Sequence, residues 1–205
     1  MHKLKDQDNV LKKQEKIIVA LVPIKKHSER VPNKNIRNFG GRPLYHHILE
    51  SLSKSKYIKE IYINTNSEFV AEDAPKHFSK VKIIPRPAHL CSDTESVNNI
   101  IAHCLSQIDN EYFLQTHATN PLLTTATIDK AIETFFKLKD YDSLFSVTRL
   151  QTRLYDKDGR AINHNPKELL RTQDLPPIYE ENSNIYIFKK EVFKKTNHRI
   201  GEKPY

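Results

Sequence analysis

The stretch IIVALV at residues 17–22 runs into PIKKHSERVPNKNIRNFGGR at 23–42, and PLYHHILESL follows at 43–52. The first six residues are apolar without alternation and rich in β-branched side chains, which marks a strand covered on both faces, as in a parallel sheet. Pro43 suits a helix start, where its missing N–H is not needed, and Leu44, Ile48 and Leu52 fall on one helical face. Strand, long basic loop and helix make a first βα unit, with 17–22 as the central strand.

The alternation continues outward. Residues 60–65 (EIYINT) alternate and end in the polar cluster Asn64, Thr65, Asn66 and Ser67, which can cap a helix over 69–77. Residues 81–84 predict a third strand, and SDTE at 92–95 has the form of a capping box before a helix buried through Val97, Ile100, Ile101, Cys104 and Ile108. A strand at 112–115, a helix over 127–138 with Ile128, Ala131, Ile132 and Phe135 inward, and a strand at 143–147 follow. From 148 to 179 the alternation gives way to Arg, Asp, Asn and Pro, which predicts an inserted arm or hairpin over 149–180. Residues 185–188 return to the sheet and 190–195 start another helix. Strands and helices at this spacing require right-handed crossovers. The fold class is therefore α/β, a mostly parallel sheet between helices, with ligands bound beyond the strand C-termini. Residues 1–16 are polar and aperiodic and read as a mobile basic tail, leaving 17–205 as one domain.

Composition narrows the chemistry. The 205 residues carry 33 Lys and Arg against 25 Asp and Glu, a net charge of +8, with 38% hydrophobic residues, which is a folded globular composition. The only glycines are Gly40, Gly41, Gly159 and Gly201, so neither a G-x-G-x-x-G turn nor a G-x-x-x-x-G-K-[ST] loop can be assembled. A phosphate site must be built from side chains instead. The same glycines exclude a G-x-S-x-G elbow and the acyl transfer that goes with it. Cys91 and Cys104 lack a second pair, which predicts small core hydrophobes rather than a disulfide or zinc framework. His46 and His47 open a helix with no metal ligand at helical spacing, so surface or capping histidines are expected, and the ten histidines form no zinc pattern. No apolar run approaches the ~20 residues of a membrane span. The charged first sixteen residues hold no apolar leader segment, so a cytoplasmic location without a membrane partner is expected.

In a sheet of this kind the loop after the first strand faces the ligand. Here it gathers Lys25, Lys26, Arg30 and Lys34 with Ser28 and Asn35. That set suits a triphosphate, because Arg offers a planar fork, Lys a compact point charge, and the small polar groups fixed hydrogen bonds. A solvated basic loop is the plainer reading, and position in the first crossover argues against it. A nucleic-acid surface would interleave aromatics with a basic stripe. Here the cations concentrate in one phosphate-sized loop and the aromatics lie at periodic core positions, so a nucleic-acid partner is not expected.

These residues resemble the acylneuraminate cytidylyltransferases, the CMP-sialic acid synthetases and their relatives. Ser28, Pro32, Lys34 and Asn35, followed by Gly41, Pro43 and Leu44, match the family's nucleotide loop. Lys25 stands for its leading Arg and Glu29 for its Lys, while Arg30 is similar to the S-x-R-x-P-x-K form of the Kdo cytidylyltransferases. Further matches keep the family order. Residues 64–67 resemble S-T-D, Arg86, Pro87, Ala88 and Leu90 match R-P-A-x-L, and Asp93 and Thr94 match the acid and hydroxyl that follow. Gln115, Asn120, Pro121 and Leu122 resemble Q-x-x-x-S-P-L-R, with one extra residue and Leu123 for the Arg. Arg171, Gln173, Asp174, Leu175 and Pro176 match the R-x-Q-D-L-P of a dimerisation arm, and Asn182, Ile185 and Tyr186 fit N-G-A-I-Y.

The resemblance implies a three-layer α/β/α Rossmann-like nucleotidyltransferase fold and transfer of CMP from CTP to the anomeric hydroxyl of an acidic 2-keto sugar, releasing pyrophosphate. It implies that Lys25, Arg30 and Lys34 grip the triphosphate, Arg30 and Lys34 as the catalytic pair, that Ser28 and Asn35 orient CTP, and that Arg86 and Asp93 lie near the nucleotide. Gln115 and Asn120 would meet the sugar. Arg171 and Gln173 would belong to the arm of a homodimer, with Arg171 reaching the sugar carboxylate from the partner. Mg²⁺ is the implied cofactor, offsetting charge on the α-phosphate and leaving group. Family members hold it with two aspartates of an I-D-I-D segment, and the sequence stops at Tyr205 before such a pair. The expectation is a fragment that keeps nucleotide affinity with little turnover, its metal resting on substrate phosphates and Asp93. A catalytically silent nucleotide-binding member is the alternative. The nearest other enzyme, a glucose- or mannose-phosphate nucleotidyltransferase, would need a G-x-G-T-R loop that is absent. Neuraminate, legionaminate, pseudaminate and Kdo all stay open as the sugar.

Overall fold

Six of the seven residues of the first strand are buried, so it runs through the middle of the molecule as its unbroken apolar character requires. The computed structural model describes residues 17–205, and the tail read at 1–16 lies outside the described residues. In chain order the elements are β1 (Ile18–Ile24), a small hairpin of β2 (Asn38–Phe39) and β3 (Arg42–Pro43), α1 (Leu44–Lys54), β4 (Ile58–Thr65), α2 (Glu68–His77), β5 (Val81–Pro85), α3 (Val97–Gln107), β6 (Tyr112–Gln115), α4 (Thr125–Lys137), β7 (Ser143–Leu150), β8 (Ile178–Lys189) and α5 (Lys190–Thr196). The main sheet has six strands in the order β5-β4-β1-β6-β8-β7. β1 pairs in parallel with β4 and β6, and β4 with β5, while β8 runs antiparallel to both of its neighbours.

Strand pleating sorts β1 into two faces. Ile18, Ala20, Val22 and Ile24 join a core with Tyr45, Ile48, Leu49 and Leu52 of α1, Val70 and Ala74 of α2, and Ile128, Ile132 and Phe135 of α4. Val19 and Leu21 join the other core, with Ile101, Cys104 and Leu105 of α3 and Phe193 of α5. Three helices on one face and two on the other make the α/β/α sandwich expected from the sequence. Side-chain oxygens start three of these helices. Ser67 accepts from the Val70 amide, Ser96 from Asn98 and Thr124 from Thr127.

Several boundaries differ from the sequence expectation. The turn at 92–95 is not a capping box; Ser96 caps α3, and the Glu95 amide instead donates to the Ser92 carbonyl. The loop before α1 contains the β2–β3 hairpin, turned by Gly40 and Gly41 at φ 60° and 92°, a two-residue turn that glycine enters without steric cost. β7 and β8 are longer than the strands read at 143–147 and 185–188. Their pairing continues to Leu150 opposite Ile178, beyond the reach of β6, so residues at both ends of the predicted 149–180 arm belong to a two-stranded ribbon. His46 is buried at 6% exposure rather than lying on the surface, and His47 is half-buried with a ring nitrogen 2.7 Å from the Phe39 carbonyl. Cys104 is a core residue as read, whereas Cys91 is half-buried.

Core burial carries the stability of such a sandwich. Leu49 is fully buried between α1 and the sheet, and Leu122 is 81% exposed. Leu49→Ala is expected to lower the unfolding free energy by about 2–5 kcal/mol in urea titrations, and Leu122→Ala by less than about 0.5 kcal/mol.

Candidate active site

β1 ends at Ile24, and the chain then makes a loop that returns to its own start. The Asn35 side-chain amide, buried under the loop, donates to the Lys25 carbonyl at 3.0 Å. Asn33 takes the left-handed conformation at φ 54°, one that asparagine tolerates better than most residues, and so starts the short 3₁₀ turn Lys34–Ile36. A further tie comes from the next crossover, where the Lys26 amide donates to Asn66 at 2.8 Å. The loop is thus held at both ends by side-chain amides.

Arg86 follows β5 and is buried, with Nε donating to Asn64 Oδ1 at 2.7 Å and Nη2 to the Asn64 carbonyl at 2.9 Å. Burial lowers its pKa from the usual guanidinium value. Asp93 stands across from Lys25 and forms an ion pair with it. The Lys25 hydrogen bond holds that carboxyl below the usual carboxylate range. All of Lys25, Ser28, Arg30, Lys34, Asn35, Arg86 and Asp93 line one cavity of about 230 Å³, with Glu29 and Glu95 on its wall. Four cations therefore share the cavity with three carboxylates, a donor set chemically suited to a polyanion or to an anion together with a metal cation.

A second group of polar residues sits at the C-terminal end of β6. Gln115 is fully buried, and its carbonyl oxygen accepts from Arg199 Nη1 at 2.6 Å. Its amide nitrogen faces the Thr116 carbonyl at 2.9 Å and His117 Nε2 at 3.3 Å. Arg199 lies over the Tyr186 ring at 3.5 Å from the centroid, and Nη2 reaches Glu181 at 3.4 Å. Its Nε is buried and has no hydrogen-bond partner among the described residues. Gln115 pairs with Leu21 of β1, the strand that runs on into the loop.

A family profile described as "Cytidylyltransferase" matches residues 19–203. The chain belongs to the cytidylyltransferase family. It is 28% identical over 186 residues to the post-translational flagellin modification protein B of Campylobacter coli, covering 85% of this chain and 78% of that protein. An N-acylneuraminate cytidylyltransferase of Streptococcus agalactiae is 27% identical over 185 residues, covering 85% of this chain and 44% of its own length. The chain thus spans less than half of the streptococcal relative. In fold it is similar to a solved CMP:2-keto-3-deoxy-manno-octonic acid synthetase complexed with CTP, with a TM-score of 0.67 at 12% identity over 87% of this chain and 76% of the other.

Within this cytidylyltransferase the residues read from the sequence divide into three groups. The seven loop, Arg86 and Asp93 positions converge on the cavity, although the Asn35 amide is spent on closing the loop. Gln115 and Asn120 are inside the β6 end but engaged with the protein. Asn120 Nδ2 bonds Thr116 Oγ1 at 3.3 Å and the Ser183 carbonyl at 3.2 Å, pinning this turn to β8. Arg171 and Gln173 lie exposed on the arm, and Arg171 pairs with Asp174, its Nε 2.7 Å and its Nη2 3.2 Å from the carboxylate oxygens. Sequence reading missed Arg199, His117, Tyr186 and Glu181 as one group, because neither periodicity nor motif links positions so far apart. The single available signal was an arginine two residues before a glycine in a polar segment.

Burial, with the Arg199 and Lys34 charges adding to it, pushes His117 down from 6.5 to about 4. A depressed histidine pKa means that the unfolded chain takes up its proton first as pH falls. The contribution of neutral His117 is complete above 6.5 and is lost on the way down to about 4. The difference in stability between the wild type and His117→Gln, from urea midpoints, is expected to change by roughly 1–3 kcal/mol across this window and to be flat above pH 7.

Proposed function

We propose that this chain transfers CMP from CTP to the anomeric hydroxyl of an acidic 2-keto sugar of the acylneuraminate type. The sugar oxygen attacks the α-phosphorus, the bond from that phosphorus to the bridging oxygen of the β-phosphate breaks, pyrophosphate leaves, and the hydroxyl proton passes to solvent. One observation carries the reading: a single cavity gathers Lys25, Ser28, Arg30, Lys34, Asn35, Arg86 and Asp93 at the C-terminal end of the central strand. A triphosphate has no glycine-rich backbone to lie against here, so the cations and the Ser28 hydroxyl do the holding. Phosphoryl-type transfer depends mainly on position and charge neutralisation, the task assigned to Arg30 and Lys34.

Mg²⁺ fits the donor set. Glu29, Asp93 and Glu95 bring carboxylate oxygens to the cavity wall, and Mg²⁺ takes few protein oxygens when phosphates supply the rest. Asp93 would hold it, releasing Lys25 toward the phosphates. The metal would supply charge neutralisation at the triphosphate.

The sugar would meet the Gln115 and Arg199 group, where an acidic substrate finds a partly buried guanidinium at the end of the strand beside β1. Arg171 and Gln173 would act from a partner's arm. What supports a homodimer is the apolar arm surface, on which Ile162, Leu170 and Tyr179 are exposed and Leu169 reaches 93% exposure. Light scattering is expected to report a dimer for the wild type and a monomer for a Leu169→Glu, Leu170→Glu double variant.

The test of the reaction is pyrophosphate release with CTP, Mg²⁺ and a panel of N-acetylneuraminate, pseudaminate, legionaminate and Kdo. Release with at least one of these is expected, and Lys34→Ala should weaken CTP binding roughly ten- to hundredfold. CTP binding without release would identify the nucleotide-binding member that lacks turnover. Unchanged CTP affinity in Lys34→Ala, or displacement of CTP by a random oligonucleotide at moderate salt, would refute the assignment of the loop.

A further inference from the structure

We propose that His46, Asp73 and His77 form a binding site for a transition-metal ion, Zn²⁺ by the chemistry of its donors, that ties α1 to α2. The site shares no lining residue with the loop cavity. Asp73 and His77 are four residues apart on α2, so their side chains rise from the same helical face. His46 comes to them from the first turn of α1. One ligand atom from each residue lies within 4.8 Å of the others, the only such trio of His, Cys, Asp or Glu among the described residues.

The donors suit zinc, and their ligand atoms are close enough to converge on one ion. Bonds of ~2.0–2.1 Å in a tetrahedral site place ligand atoms ~3.3 Å apart. His46 Nε2 lies 2.6 Å from Asp73 Oδ2, a hydrogen-bond distance, and His77 Nδ1 lies 3.3 Å from Oδ1 and 3.0 Å from the Asp73 carbonyl. Binding a metal therefore requires both imidazoles to give up these hydrogen bonds and His46 to move back by several tenths of an ångström. Two imidazoles and one carboxylate form a borderline-soft set that leaves a fourth position open. The three residues line a separate cavity of about 580 Å³ together with Arg42 and Glu50, which gives a fourth ligand room to enter. Glu50 is committed to ion pairs with Arg42 and Lys54, so the fourth ligand is left to water or to a small anion.

Surrounding groups hold the trio in place, as metal sites require. The hydroxyl of Tyr45, a fully buried residue, donates to Asp73. The ring of Phe78 meets His46 edge-on at 5.1 Å. His77 is the most exposed member, its side chain 54% exposed. Without metal the same residues would remain a hydrogen-bonded cluster joining two helices, and the experiment separates the two states.

The untagged chain, stripped with a chelator, is titrated with Co²⁺ and the visible absorption of tetrahedral Co²⁺ is followed, then Zn²⁺ is added in competition. The expected result is one Co²⁺ per chain, displaced by Zn²⁺, with a melting temperature raised by Zn²⁺ through mass action. His77→Ala should weaken binding at least about 100-fold while leaving the melting temperature in chelator unchanged, since the side chain is exposed. His46→Gln should remove the Co²⁺ spectrum. Absence of a stoichiometric Co²⁺ complex, or a complex that survives both substitutions, would overturn the proposal. None of these measurements involves CTP, so they stand apart from the test of the transferase reaction.

Discussion

A loop that must present several positive charges to one point cannot be left to solvent, and the hydrogen bond from Asn35 to the Lys25 carbonyl is what prevents it. Like charges repel, and an exposed run of Lys and Arg would spread. Closing the loop on its own first residue fixes Lys25, Arg30 and Lys34 around a common space. The closure needs a rigid starting point, which β1 supplies by being buried on both faces and hydrogen-bonded on both edges. The far wall is fixed by a different device, the fork of Arg86 set on Asn64, which spends two of its donors on the scaffold.

The arrangement of charge follows from the scarcity of glycine. Where backbone amides cradle a phosphate, the site can be neutral before the ligand arrives. A cradle of side chains is charged in advance, and carboxylates on the wall keep that charge from being destabilising. The Lys25 pair with Asp93 is the clearest instance. The pair is partly exposed and contributes little to stability, but it holds Lys25 at the cavity wall.

Much of this architecture was legible in the sequence, and the reasons differ by element. β1 announced itself by an unbroken apolar run, α1 and α4 by their helical period and α2 by its cap. The five loop residues of the cavity followed because ligand loops in this topology have a fixed address, whereas Arg86 and Asp93 came from the family resemblance. β8 was read at a third of its length. Its outer half, from Ile178, pairs only with β7 and is bathed in solvent, so it carries Glu180, Glu181 and Asn182 rather than an apolar pattern. His46 was misread because its partners, Asp73 and His77, sit on another helix and proximity across a helix pair leaves no local signature. The same holds for Arg199 and Gln115, which are 84 positions apart. The capping box failed because Ser92 and Ser96 both precede the helix, and only the second is placed to meet its first amides.

Gly201 touches Asp142 so closely that a Cβ at that position would overlap the carboxylate. The same carboxylate accepts the amides of Glu202 and Lys203 at 2.8 and 3.1 Å, and the Gly201 amide donates to Ser143 Oγ at 2.8 Å. This stitches the segment after α5 to the outer strand, and Arg199 hangs two residues upstream of the seam. Any side chain at position 201 would therefore prise this seam apart, drawing Arg199 off Gln115 and Ile200 off the core that α3 and α5 share with the sheet.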